Sequence, residues 1–339
     1  MGVKIKDVAN AAGVSTATVS RVINNSPLIH PDTAEKVRRA MRELNYFPNS
    51  IARSFANQST YNIALIVDIN NSDAFANPFF YQVQFGIEKI ICSRGYNLMI
   101  INEGSMNNHE TAISRIILEK KADGVIFPGF MLKASIVKKM DELNFPFVVI
   151  GEAENKFNVN LIDVDNRMGG EIAASHLIEN GYKKIAFIAG NPKDMFDKQR
   201  IKGYRDALIQ HGIEYRDSYV KEYVCDIEDG TRIMKELLSS KDCPDAIVFS
   251  SNLAAFGAIK VIKNSGLDVP KDIGIVSFDS YPATEFSDPK ITTVDIDVFQ
   301  LGAQAAVMLL KEFELPSSIK QKTLISVKLI SRGSAEKRS

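Results

Sequence analysis

From Tyr61 onward the chain alternates short apolar runs with stretches of helical periodicity, and it does so twice over. The runs 63–67, 98–101, 124–127 and 147–150 form one set, and 184–189, 246–250 and 273–278 form a second. Such short runs, rich in Ile, Val and Phe, suit strands buried on both faces. Between them, residues 83–92, 167–177, 201–210 and 254–262 read as helices. Strands alternating with helices imply parallel sheets joined by crossover helices. Two sets of about a hundred residues each predict two doubly wound α/β lobes with a cleft between them.

The first sixty residues follow another rule. Residues 6–12 place Val8, Ala9 and Ala12 on one face and stop at Gly13. Ser15 stands at an N-cap position, and Val19, Val22 and Ile23 form the apolar stripe of a second helix. Pro31 suits the first turn of a third helix, with Val37, Met41 and Leu44 on its buried face. Residues 49–55 have helical potential but are too short to be stable alone. Two short helices joined by a Gly-containing turn can set the second in a DNA major groove, exposing Thr16, Ala17, Ser20 and Arg21 here. From pattern alone a small helical bundle with a solvated polar face competes with that reading.

Charge favours the DNA reading modestly. Residues 1–60 hold eight Lys/Arg against four Asp/Glu, so this head is +4 and the remainder −4 in a chain of net charge 0. Hydrophobic residues make up 45 % of the 339, enough for sizeable cores. No apolar run approaches the roughly eighteen residues of a membrane span. The N-terminal MGVKIKDVAN lacks the apolar stretch of a signal peptide, so a cytoplasmic protein without a membrane partner is expected. Cys92, Cys225 and Cys243, with four scattered His, suggest neither a disulfide framework nor a zinc site. Nucleotide-loop, nucleophile-elbow and metalloprotease motifs are missing, and Gly169-Gly170 reads as close packing rather than phosphate binding. An enzyme is not expected, and no cofactor or metal is implied.

The stretch IKDVANAAGVSTATVSRVIN (5–24), continued by EKVRRAMRELNYFPNSIARSF (35–55), resembles the N-terminal signature of the lactose/galactose repressor (LacI/GalR) family. The resemblance runs to about Gly333 through NPFF (77–80), DGVIF (123–127), VDNR (164–167), GYKKIAFIAG (181–190), RIKGY (200–204), VPKDIGIVSFD (269–279) and ITTV (291–294). It implies a helix-turn-helix domain (1–47), a hinge helix and linker (48–60) and a two-lobe effector and dimerisation domain (61–333). The lobes would be 61–161 with 293–321, and 162–292 with 322–333, crossing near 162, 292 and 322. Residues 334–339 would be a polar tail. These lobes resemble periplasmic sugar-binding proteins.

By the same resemblance Thr16 and Ala17 read bases, while Ser15, Thr18, Ser20, Arg21 and Asn24 contact bases or phosphates of a pseudo-palindromic operator in double-stranded DNA. Asn49, Ala52 and Arg53 would line the minor groove, with Phe55 as the wedge where the family usually has leucine. His30 replaces the usual hydroxyl cap of the third helix. For the effector, Arg200 and Asp279 match positions that bond hydroxyls or a ring substituent, Phe79 and Phe80 match aromatic faces, and Asn252 completes the set. Leu253 and Ser280 replace carboxylates found in many relatives. The implied function is a homodimeric repressor of carbohydrate-utilisation genes whose DNA affinity a small-molecule effector, a sugar by family habit, controls. The alternative is a regulator whose DNA binding a corepressor or phosphocarrier protein promotes.

Overall fold

The computed structural model describes residues 3–23, 26–47, 54, 58–67, 78–103, 112–153, 157–317 and 319–337. It divides into two compact units, Met1–Tyr61 and Asn62–Ser339.

The first unit holds α1 (Ile5–Ala12), α2 (Thr16–Ile23) and α3 (Pro31–Glu43). Gly13 ends α1 in the left-handed region at φ 66°, and the Val14 N–H then donates to the Ala9 carbonyl at 3.0 Å. Ser15 Oγ accepts from the Thr18 N–H at 3.1 Å, the expected cap, which is typically worth about 1 kcal/mol. Val8, Val19 and Val37 from the three helices meet in one small core. At α3 the His30 ring accepts from the Asp32 N–H at 3.4 Å, so the imidazole takes the place of a hydroxyl cap ahead of Pro31.

The second unit contains two six-stranded sheets. In the first lie β1 (Asn62–Val67), β2 (Asn97–Asn102), β3 (Gly124–Pro128), β4 (Phe147–Ile150), β5 (Leu161–Val164) and β11 (Lys322–Ile325), ordered β11-β5-β4-β3-β1-β2 and parallel throughout. The second has β6 (Ile185–Ile188), β7 (Val220–Lys221), β8 (Ala246–Phe249), β9 (Gly274–Phe278), β10 (Thr292–Ile296) and β12 (Val327–Ile330), ordered β12-β10-β9-β8-β6-β7. Only β12 is antiparallel there, against β10.

Helices α4 (Pro78–Cys92), α5 (Ala112–Leu118), α6 (Ala134–Glu142) and α12 (Val298–Glu314) flank the first sheet. The second is flanked by α7 (Asn166–Glu179), α8 (Met195–Gln210), α9 (Ile227–Ser239), α10 (Asn252–Asn264) and α11 (Pro282–Phe286).

Three helix pairs pack through reciprocal glycines. A Cβ on Gly170 would strike the Arg200 carbonyl and one on Gly203 the Arg167 carbonyl, which locks α7 to α8. Gly86 and Gly302 do the same between α4 and α12, and Gly230 and Gly257 between α9 and α10. Gly170 is thus a packing glycine, as its sequence setting suggested.

The strand assignments move the crossings between lobes. The first sheet keeps β5 through Val164, the second keeps β10 through Ile296, and β11 returns to the first sheet before β12 joins the second. The chain therefore crosses at about 165, 297 and 326 rather than near 162, 292 and 322. Residues 322–325 belong to the first lobe, not the second. Asp165 and Asp297 cap the helices that start at the first two crossings, accepting from the Met168 and Gln300 N–H groups. The expected tail from 334 is also corrected. Ser334 and Ala335 are fully buried, and Ser334 Oγ donates to the Ile275 carbonyl while accepting from the Thr292 N–H. A hydroxyl that closes two strand ends makes these residues part of the second lobe.

Candidate functional site

In the first unit α2 buries Val19 and Val22 and turns Thr16, Ala17 and Arg21 to solvent, with Thr18 and Ser20 half-buried beside them. The Ser15 and Thr18 hydroxyls are 2.9 Å apart, which fixes the first turn. Arg21 makes no ion pair among the described residues and is available to an external acceptor. Small side chains at the helix start with a guanidinium one turn later give a face that can approach a base edge closely. Asn24, Asn49, Ala52, Arg53 and Phe55 lie outside the described residues.

In the second unit the carboxyl ends of the parallel strands converge on Arg200 of α8. Its Nε donates to Asn166 Oδ1 at 3.0 Å, and Nη1 donates to the Ser250 carbonyl at 3.3 Å and Ser250 Oγ at 3.0 Å. The guanidinium lies 3.8 Å from the centroid of Phe278 and 5.0 Å from that of Phe196. Ser250 Oγ donates to Asp197, whose other oxygen accepts from the Gly190 N–H at 2.9 Å. Arg200 is thus clamped by the ends of β5, β8 and β9, with Gly170 admitting its backbone. A buried guanidinium is tolerable only when hydrogen-bonded. Burial pulls its pKa down, while Asp279, Asp197 and Asp163 act in the opposite sense.

Asp279, just past β9, takes φ 66° so that its N–H donates to the Val294 carbonyl at 3.0 Å. Asp tolerates that region better than most residues. Burial raises the Asp279 carboxyl, with Arg200 opposing. Asn252 is buried, and its Nδ2 donates to the Asp279 carbonyl at 3.5 Å.

Residues 61–332 match the periplasmic binding proteins and sugar-binding domain of the LacI family, and residues 4–49 match the bacterial regulatory proteins of the lacI family. The chain belongs to the LacI family. It is similar to the HTH-type transcriptional regulator CelR of Thermobifida fusca, with 34 % identity covering 89 % of each chain. The regulator MalR of Streptococcus pneumoniae is 37 % identical over 89 % of this chain and 90 % of its own. Among solved structures, a CelR–cellobiose complex superposes with TM-score 0.73 at 30 % identity, covering 98 % of this chain and 99 % of that one. A lac repressor dimer bound to operator and an anti-inducer shares the fold, with TM-score 0.79, 24 % identity and 99 % of each chain covered. As a LacI-family member the chain is a DNA-binding transcriptional regulator and not an enzyme.

Of the residues singled out in the sequence, Arg200, Asp279 and Asn252 come together in this regulator. Phe79 and Phe80 sit in the first turn of α4, where Phe79 is exposed and Phe80 packs against the core. Their neighbour Tyr81 acts electrostatically on Tyr281, which follows β9; burial, Asp279 and Tyr81 all push the Tyr281 hydroxyl upward. Leu253 is exposed beside the buried Asn252, and Ser280 Oγ accepts from Arg332 at 2.8 Å. The sequence reading missed Glu152, Asp163, Asn166, Asp197, Gln199, Ser250 and Tyr281. For Asp163 a signal existed, a carboxylate inside the otherwise apolar strand Leu161–Val164. Gln199 has none, since its partner lies 47 positions away in sequence.

Proposed function

We propose that this LacI-family regulator is a homodimeric repressor, cytoplasmic like the DNA it binds, whose operator affinity is set by a small sugar in the cleft at Arg200. The observation that carries the reading is the buried guanidinium stacked on Phe278, with the Asp279 carboxylate beside it at the strand ends. Phe278 is itself fully buried behind Arg200, and the exposed Phe196 ring beside the guanidinium offers the face for the apolar side of a pyranose, with a charged donor and a charged acceptor for its hydroxyls. The solved CelR relative is a complex with cellobiose, which supports the same ligand class. Ser15, Thr16, Ala17, Thr18, Ser20 and Arg21 form the operator-reading face, and ligand binding alters the lobe arrangement on which paired DNA-binding units depend.

The test is fluorescence anisotropy at fixed salt, with a pseudo-palindromic duplex recovered by in vitro selection and cellobiose, maltose and glucose added in turn. A sugar that releases the wild-type protein, and has no effect on Arg200→Ala bound equally well to DNA, is the expected result. Arg21→Ala weakens operator binding by about 1–3 kcal/mol. A sugar that tightens binding reverses the sign of control to corepression, and a normal response in Arg200→Ala removes the cleft from the effector pathway.

A further inference from the structure

Glu152 leaves the first lobe just after β4, beyond Gly151, which holds the left-handed φ of 84°. Its backbone is pinned at the end of β3, because a Cβ on Gly129 would strike the Glu152 carbonyl. The side chain reaches the other lobe, where Oε1 accepts from Gln199 Nε2 at 2.8 Å, one residue before Arg200 on α8. Its second oxygen, Oε2, is buried without a hydrogen-bond partner among the described residues. A buried carboxylate oxygen left bare is costly unless a donor reaches it.

Asp163 stands beside it at the end of β5. It is 9 % exposed, and Oδ1 accepts from the Val164 N–H at 2.7 Å while Oδ2 has no hydrogen bond among the described residues. Burial and the Glu152 charge together push Asp163 up to about 6. Against these acceptors the described part of the cleft sets one buried cation. Arg200 already donates Nε and Nη1 to Asn166 and Ser250, so only Nη2 is left for a ligand. The Tyr281 hydroxyl, buried and unpartnered among the described residues, can donate as well as accept but carries no charge. Among the described residues, the bare carboxylate oxygens of Glu152 and Asp163 call for hydrogen-bond donors, and these two carboxylates outnumber the one cation.

We infer that Glu152, seated by Gln199 of the opposite lobe, and Asp163 form an acidic subsite that accepts hydroxyl or ammonium donors from the effector and rejects ligands carrying phosphate or carboxylate. This subsite lies in the cleft read above as the effector site and stands on that reading. A phosphorylated sugar would place two negative charges against the Glu152 and Asp163 carboxylates, with Arg200 the one cation of the described cleft. Like-charge juxtaposition of this kind lowers affinity by roughly 100-fold or more.

Calorimetric titration of the full chain tests this with cellobiose and maltose, their 6′-phosphates, and glucosamine, on wild type, Glu152→Gln and Arg200→Ala. The Glu152→Gln amide keeps an acceptor oxygen for Gln199 and removes the charge, and thermal melts check that each variant folds. The expected result is that a neutral sugar binds wild type roughly 100-fold more tightly than its phosphate. In Glu152→Gln that ratio narrows about tenfold while the neutral sugar itself weakens. A change in ratio is a readout that a merely structural latch would not move. A phosphorylated sugar binding wild type as well as its parent, or an unchanged ratio in Glu152→Gln with binding still lost in Arg200→Ala, overturns the subsite alone. No binding by any of the five, or full binding by Arg200→Ala, fails the effector reading and the subsite with it.

Discussion

Asp163 occupies a strand whose other residues, Leu161, Ile162 and Val164, are all buried apolar side chains. Burial raises it from the ordinary 3.8 to about 6, so between those values the folded chain holds a proton that the unfolded chain has released. Stability from this group is therefore full below about pH 4 and is lost as pH rises through about 6. At neutral pH the loss is on the order of 3 kcal/mol. Asp163→Asn keeps the acceptor for the Val164 N–H and never ionises. Its stability advantage over wild type in urea melts is expected to be near zero at about pH 4 and to grow to as much as about 3 kcal/mol at about pH 7.5. An offset independent of pH would show that folding leaves the Asp163 carboxyl at its ordinary value. The carboxylate inside an apolar strand was visible in the sequence, but that it faces Glu152 and Arg200 required both lobes.

Elements place the site as much as side chains do. Asn166 and Arg200 meet because α7 and α8 approach closely, and they can do so because Gly170 and Gly203 leave their carbonyls room. Gly203→Ala adds a methyl that overlaps the Arg167 carbonyl. It is expected to cost about 1–3 kcal/mol or more in denaturant unfolding. It should also weaken sugar binding by opening the Asn166–Arg200 contact. Unchanged unfolding together with unchanged sugar affinity would mean that the helices have slack there. Strands rich in Ile, Val and Phe, such as β1, β4, β8 and β9, were legible because burial on both faces leaves a continuous apolar run. Strands β5, β10 and β11 were not, since Asp163, Thr292, Thr293, Asp295, Lys322 and Thr323 interrupt the run. Lys322 and Thr323 lie on β11, at the sheet edge, where such residues are tolerated.

At the scale of the whole molecule, an operator with two half-sites calls for two copies of the chain. The second lobe offers an apolar surface where α9 and α10 begin, with Tyr223, Ile227 and Leu253 all exposed and the two helices locked by Gly230 and Gly257. In the homodimer proposed above, Ile227→Asp with Leu253→Asp is expected to shift the mass from dimer to monomer in sedimentation velocity and to weaken operator binding at least roughly tenfold. A pair of charges with no effect on mass would move the interface elsewhere. The capped three-helix head, the wholly apolar strands and the two α/β lobes could be read from the sequence, because periodicity, caps and apolar runs are local consequences of backbone geometry and burial. The sequence also supplied Arg200, Asp279 and Asn252, through their register with a known family. Only the tertiary structure decided where the chain changes lobes and that Ser334 and Ala335 are core. It alone brought Glu152, Asp163 and Gln199 beside Arg200, because burial, charge coupling and unmet hydrogen bonds depend on which distant segments fold against one another.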